Sequence, residues 1–228
     1  MNFALTKLIE LPALPLAHRI RAPRDGKVEG SPCLLLLHGV GANELGLANI
    51  AELVDPRLTV ILVRAPLVFG PMQFGFFRVN FTASGPVINA EQAEQARQML
   101  TTFIESLPSV YGIDGRQVWL AGFSQGGILS ASVGLTRPDL VRGFGILSGR
   151  ILPEISSRIA SPHQLAELHT FISHGLHDEK LGVNYARSAH ALLLEKGVVP
   201  TYREYTGGHE LNAAMRDAFN QWLSEQLS

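Results

Sequence analysis

Cysteine is nearly absent. Cys33 is the only one in 228 residues, so no disulfide framework is possible, and its apolar neighbours suggest a buried structural thiol. Charge of one sign is also missing. Lys and Arg number 19, Asp and Glu 20, for a net charge of −1. Acids and bases are interspersed, with no basic run or face, which argues against a nucleic-acid partner. No apolar run approaches the ~20 residues of a membrane span; residues 33–37 are only strand-length. The N-terminus has no basic stretch leading into an apolar core. Lys7 and Glu10 interrupt it and Pro12 and Pro15 follow, so no signal peptide is expected. These absences predict a soluble, cytoplasmic protein with no stable membrane insertion. Repeats, low-complexity tracts and charged linkers are absent as well. What remains is a chain of suitable length for one α/β domain, 1–228, with a core of its own.

Strand and helix signals alternate along that chain, which predicts a mostly parallel central sheet covered by helices on both faces. Strands are expected at 17–22, 33–38, 58–64, 118–121, 143–147, 170–173 and 201–205. Helices are expected at 44–53 with Asn43 as cap, 89–107 ending before Pro108, 124–137, 185–196 and 211–227. Residues 66–87 do not fit the alternation. They hold Phe69, Phe74, Phe76, Phe77 and Phe81 without a clear period. Loops of this length are usually functional or disordered, and so many aromatics argue against disorder. The expectation is a loop packed beside an active site that forms part of an acyl pocket.

The chemistry concentrates around Gly122-Phe123-Ser124-Gln125-Gly126. The pentapeptide falls between an apolar strand and a helix rich in small residues, where a serine nucleophile must project from a tight, strained turn. A side chain at Gly122 or Gly126 would collide with the neighbouring strand or helix. The free N–H groups of the following helix point to where an oxyanion would form.

A serine hydroxyl needs a base, and the base an orienting carboxylate. Asp178 stands in the loop after the strand at 170–173, and His209 in the loop after the strand at 201–205. The chain order Ser, Asp, His suits this kind of sheet. Glu179 competes with Asp178, and His177 with His209. His177 is too close in sequence to the acid to receive that carboxylate and also reach Ser124. The oxyanion donors are expected to be the backbone N–H groups of Gln125 and Val40, the latter within His38-Gly39-Val40-Gly41. His38 itself is expected to hold that turn by hydrogen bonds. His18, His163, His169 and His190 have no such context. Metal and nucleotide signals are weak. His209-Glu210 opens like a zinc-protease helix, but position 213 is Ala rather than His, so no metal and no other cofactor is predicted.

Together these pieces resemble the carboxylesterase/phospholipase family of α/β-hydrolases, which includes acyl-protein thioesterases and small bacterial esterases. The resemblance rests on Leu37-His38-Gly39-Val40-Gly41-Ala42-Asn43-Glu44, Gly122 to Gly127, Leu147-Ser148-Gly149, His174-Gly175-Leu176-His177-Asp178 and Gly208-His209-Glu210. It implies an α/β-hydrolase fold with little or no cap and cleavage of a small-molecule ester or thioester. It also implies the same triad and oxyanion hole. Two departures fall where the acyl pocket would be. Phe74-Gly75-Phe76-Phe77-Arg78 stands where relatives often carry a tryptophan, and Arg150 follows Leu147-Ser148-Gly149. Phe74, Phe76, Phe77, Arg78 and Arg150 are therefore candidate pocket residues, the two arginines as readers of an anionic group. The alternatives are a catalytically weak binding protein on the same fold, or a peptidase, for which the chain leaves no room for a cap domain. Both a monomer and a homodimer fit the sequence.

Overall fold

The computed structural model describes residues 4–82 and 85–227. In chain order the elements are β1 (His18–Arg21), β2 (Cys33–Leu37), α1 (Ala48–Leu53), β3 (Thr59–Val63), β4 (Leu67–Gly70), β5 (Gln73–Gly75), β6 (Val79–Thr82) and β7 (Gly85–Ile88). There follow α2 (Ala90–Tyr111), β8 (Val118–Phe123), α3 (Gln125–Thr136), β9 (Gly143–Leu147) and α4 (Pro162–Leu165). The chain closes with β10 (His169–Gly175), α5 (Asn184–Glu195), β11 (Thr201–Tyr205) and α6 (Ala213–Gln226).

Seven strands form one sheet in the order β1-β3-β2-β8-β9-β10-β11. Only β1 runs antiparallel to its neighbour; the other pairs are parallel. Every residue of β2, β3 and β9 is buried, as expected of strands covered on both faces. Alternation sorts β2 between the two sides. Cys33, Leu35 and Leu37 join Leu100, Phe103 and Leu107 of α2 and Leu129 of α3. Leu34 and Leu36 join Ile50 and Ala51 of α1 and Phe219 and Trp222 of α6. Burial raises the Cys33 thiol pKa well above its usual range, which makes it inert.

Three expectations need correction. Residues 66–87 are not an irregular loop. They form two antiparallel hairpins, β4–β5 and β6–β7, the first turning at Met72 with φ 57°. The helix at 89–107 does not stop before Pro108 but continues to Tyr111, capped by the left-handed Gly112. Pro108 forfeits one intrahelical bond. The apolar stripe of Leu100, Phe103, Ile104 and Leu107 runs on into Val110 and Tyr111 against the same core, and that packing outweighs the loss. The helix at 44–53 is split into a 3₁₀ turn, Glu44–Leu47, and α1. Asn43 caps the turn by accepting from the Leu45 N–H. Among the described residues no helix is long and apolar enough to cross a membrane.

Candidate active site

The parallel strands β8, β10 and β11 deliver three polar side chains to one end of the sheet. Ser124 follows β8 directly with φ 53° and ψ −114°, a strained conformation for a residue with a side chain. The turn is tight enough to demand glycine. A Cβ on Gly126 would lie 1.9 Å from the Leu37 carbonyl oxygen, and one on Gly122 would lie 2.2 Å from the Gly126 carbonyl carbon. The loops after β10 and β11 interlock as closely. A Cβ on Gly175 would sit 2.3 Å from the Gly208 oxygen, and the His177 N–H donates to Gly207 O at 2.8 Å.

This packing brings Ser124, His209 and Asp178 into one hydrogen-bonded chain. His209 Nε2 is 2.9 Å from Ser124 Oγ, and His209 Nδ1 is 2.7 Å from Asp178 Oδ2. The ring of Phe123 lies 5.0 Å from the His209 ring and supports it from one side. Asp178 Oδ1 accepts the N–H groups of Lys180 and Leu181 at 2.9 and 2.8 Å. Burial alone would raise the Asp178 carboxyl pKa. The hydrogen bonds from His174, His209 and Leu181 overcome that and hold it well below the usual carboxylate range. An ionised carboxylate only accepts, so His209 Nδ1 carries the imidazole proton and Nε2 is left to accept from Ser124. The competing candidates, His177 and Glu179, are both exposed at the surface.

His174 is a neighbour with no role assigned from sequence. It is fully buried. Its Nε2 lies 2.6 Å from Leu181 O, an acceptor, and 3.2 Å from Asp178 Oδ2, so Nε2 holds the proton. His174 thus secures the same carboxylate oxygen that His209 holds. A buried histidine four residues before an acid in a strand-end loop is a signal the sequence does contain.

The turn after β2 stands against the serine. A Cβ on Gly39 would lie 3.5 Å from Ser124 Cβ. The Gly41 and Ala42 N–H groups donate to Phe74 O and Gly39 O. The Val40 N–H meets no acceptor among the described residues. His38 fixes the turn: Nδ1 reaches Gly39 O at 2.7 Å, and Nε2 accepts the Ala65 N–H at 3.1 Å. Burial lowers its pKa and keeps it neutral. Below this turn Glu44, with a fully buried side chain, is gripped by Arg19 and Arg64 at 2.8 and 2.7 Å. Burial would raise its pKa, but the hydrogen bonds from the two arginines hold it at about 2.

The side chain of Gln125 also had no assigned role. Its Oε1 accepts the Phe76 N–H at 2.6 Å and its Nε2 donates to Phe77 O at 2.7 Å, clasping the segment between the two hairpins to the serine turn. Beside Ser124 lies a very small pocket, with a cavity volume of about 20 Å³. Its walls include Phe77, Val79, Phe81, Ile128, Arg150 and Leu181.

Of the pocket candidates, Phe77 and Arg150 line this pocket. Phe76 faces the core beside His38, with ring centres 5.5 Å apart. Phe74 lies under Arg64 at 4.5 Å and pairs with Ala42. Arg78 is exposed over Phe69, in an outer groove that shares Val40 and Phe81 with the pocket. Phe76 and Phe77 lie in the bend between β5 and β6, where the first turns to the core and the second to the serine. Among the described residues no cluster of three or more His, Cys, Asp or Glu is placed to hold a metal.

Residues 19–225 match the phospholipase/carboxylesterase family. The chain belongs to this family. It is a hydrolase with the α/β-hydrolase fold. A carboxylesterase from Mesorhizobium loti superposes with a TM-score of 0.80 at 23% identity, covering 95% of this chain and 98% of that one. The Bacillus cereus carboxylesterase gives 0.79 at 25% identity, covering 92% and 94%. In sequence, acyl-protein thioesterase 1 of Neurospora crassa is 25% identical over 212 residues, covering 85% of this chain and 86% of the relative.

Proposed function

We propose that this hydrolase cleaves carboxylic esters, and thioesters by the same route, through an acyl-enzyme on Ser124. The observation that carries the reading is the unbroken hydrogen-bonded chain Asp178–His209–Ser124, with distances of 2.7 and 2.9 Å. In this reading Ser124 Oγ attacks the substrate carbonyl carbon as His209 Nε2 takes its proton. Asp178 holds the Nδ1 tautomer and stabilises the imidazolium that forms. The Val40 and Gln125 N–H groups receive the developing oxyanion. Collapse of the tetrahedral intermediate breaks the bond to the leaving oxygen or sulfur, which takes the proton from His209. Water then attacks the acyl-serine with His209 again as base, releasing the carboxylic acid and restoring Ser124. The acyl-protein thioesterase among the sequence relatives supports including thioesters.

The test is labelling with a fluorescent fluorophosphonate and mapping of the modified peptide, alongside Ser124→Ala. Label on Ser124 is expected in the native enzyme and none in the variant. Ser124→Ala is expected to fold and to lose turnover by about 10³-fold or more. Retained turnover in a clean variant preparation defeats the proposal. Absence of label in folded native protein moves the reading to a binding protein on the same fold.

A further inference from the structure

Arg150 is a buried cation without a counter-ion. Its residue is only 8% exposed. Its Nε is covered and meets no hydrogen-bond acceptor. No carboxylate lies within salt-bridge distance of it among the described residues. Its guanidinium stacks over the ring of half-buried Tyr185, 5.0 Å from the centroid. Three arginines of the scaffold are treated differently. Arg19 and Arg64 share Glu44, and Arg97 grips Glu94. A covered donor with no acceptor is costly, and natural proteins rarely keep one without a use.

The backbone puts this cation where a substrate would be. Ser124 N–H donates to Leu147 O at 2.8 Å. Ser148 turns the chain with φ 50°. A Cβ on Gly149 would stand 3.0 Å from Ser124 O. Arg150 emerges from that contact into the pocket that also holds Ser124, and it is the one charged residue in the lining. The remaining walls are mostly apolar, with Phe77, Phe81, Ile128 and Leu181 among them. Tyr185 closes over the guanidinium and also reaches the β6–β7 hairpin, since a Cβ on Gly85 would lie 3.0 Å from its hydroxyl.

We infer that Arg150 is a specificity residue that receives an ionised carboxylate on the substrate, so that the enzyme selects short acidic esters over neutral ones. This rests on the Ser124 reading above. The planar fork of the guanidinium matches a carboxylate, and the apolar walls strengthen the pair by excluding water. Ser124 and Arg150 line one and the same pocket, which favours a short connector between carboxylate and scissile carbonyl.

The experiment pairs each acidic ester with a neutral near-isostere. On the acyl side, monoethyl succinate is set against ethyl levulinate; on the alcohol side, acetoxyacetate is set against acetoxyacetone. Rates are followed for the native enzyme, Arg150→Met and Arg150→Lys. The native enzyme is expected to favour the acid of one pair by about ten- to a hundredfold in kcat/KM, the range expected of one charge-assisted contact. That preference should collapse in Arg150→Met and be partly kept in Arg150→Lys. The pair that responds tells which side of the substrate carries the charge. Succinate should also raise the melting temperature of the native enzyme and not that of Arg150→Met, a readout independent of turnover. Ser124-dependent hydrolysis of the neutral esters with no acid preference in either pair overturns this inference alone, as does a preference unchanged in Arg150→Met. Turnover that survives Ser124→Ala removes the earlier reading instead.

Discussion

Two buried charges, some residues apart in sequence logic but on the same end of one sheet, are handled in opposite ways. Glu44 sits under the turn after β2 with two arginines on it. Arg150 sits beside Ser124 with an aromatic face and no carboxylate. The first arrangement is complete within the chain: the ion cluster ties β1, β3 and the 3₁₀ turn together behind the Val40 N–H. The second is complete only when something from outside supplies the anion. A pairing closed inside the protein therefore marks scaffold, and one left open beside a nucleophile candidate marks recognition.

The contrast can be broken at three points, with effects of decreasing size. Gly126→Ala attacks the scaffold shared by both regions. Its Cβ would meet the Leu37 carbonyl oxygen at 1.9 Å, backbone that cannot step aside. We expect it to fold poorly or lose more than about 4 kcal/mol, the range reserved for a few drastic lesions. A soluble variant with a native thermal melt contradicts this.

Glu44→Gln opens the closed cluster. It should lose about 3 kcal/mol at neutral pH, the lower end for breaking a buried pair because the arginines are partly exposed. Its pH response is distinctive. The folded pKa of Glu44, about 2, lies below the ~4.3 of an unfolded glutamate. Its contribution is therefore fully present above about pH 4.3 and fades as the pH falls towards 2. Melts at pH 7 and pH 3 should show the gap between native protein and Glu44→Gln narrowing in acid. A constant gap removes the linkage.

The smallest effect is the unliganded stability of Arg150→Met. Exchanging an unpaired buried charge for an apolar side chain of similar length should leave the melt unchanged or raise it, by about 1 kcal/mol at most. A clear loss would mean that Arg150 holds the scaffold together, as Glu44 does.

Legibility in the sequence followed burial. Strands β2, β3, β8 and β9 were readable because each is a short, mostly buried apolar run with turn residues at its ends. That Ser124, Asp178 and His209 come together was readable because each follows a strand end, and parallel strands carry their C-terminal ends to one side. Residues 66–87 were not readable as hairpins. Their strands are only three or four residues long, and aromatics occupy both faces, so the period of two is erased. Pro108 misled because a local penalty was weighed without the core contacts that repay it. The Gln125 side chain and the Phe77–Leu181 wall depend on which distant elements meet. Arg150 was visible as a charge in an odd place, but its lack of a partner is a property of the packed protein.

The clasp made by Gln125 has a consequence for how such an enzyme can change. Its backbone stands next to Ser124, while its side chain holds the peptide groups of Phe76 and Phe77 through main-chain atoms only. The grip ignores what side chains the held segment carries. The hairpin beyond it, which supplies Val79, Phe81 and Pro86 to the pocket, can therefore vary residue by residue without loosening its anchor. In such a layout diversification would work like changing the bit in a fixed chuck, with new substrate ranges drawn from β6–β7 while the serine turn stays as it is.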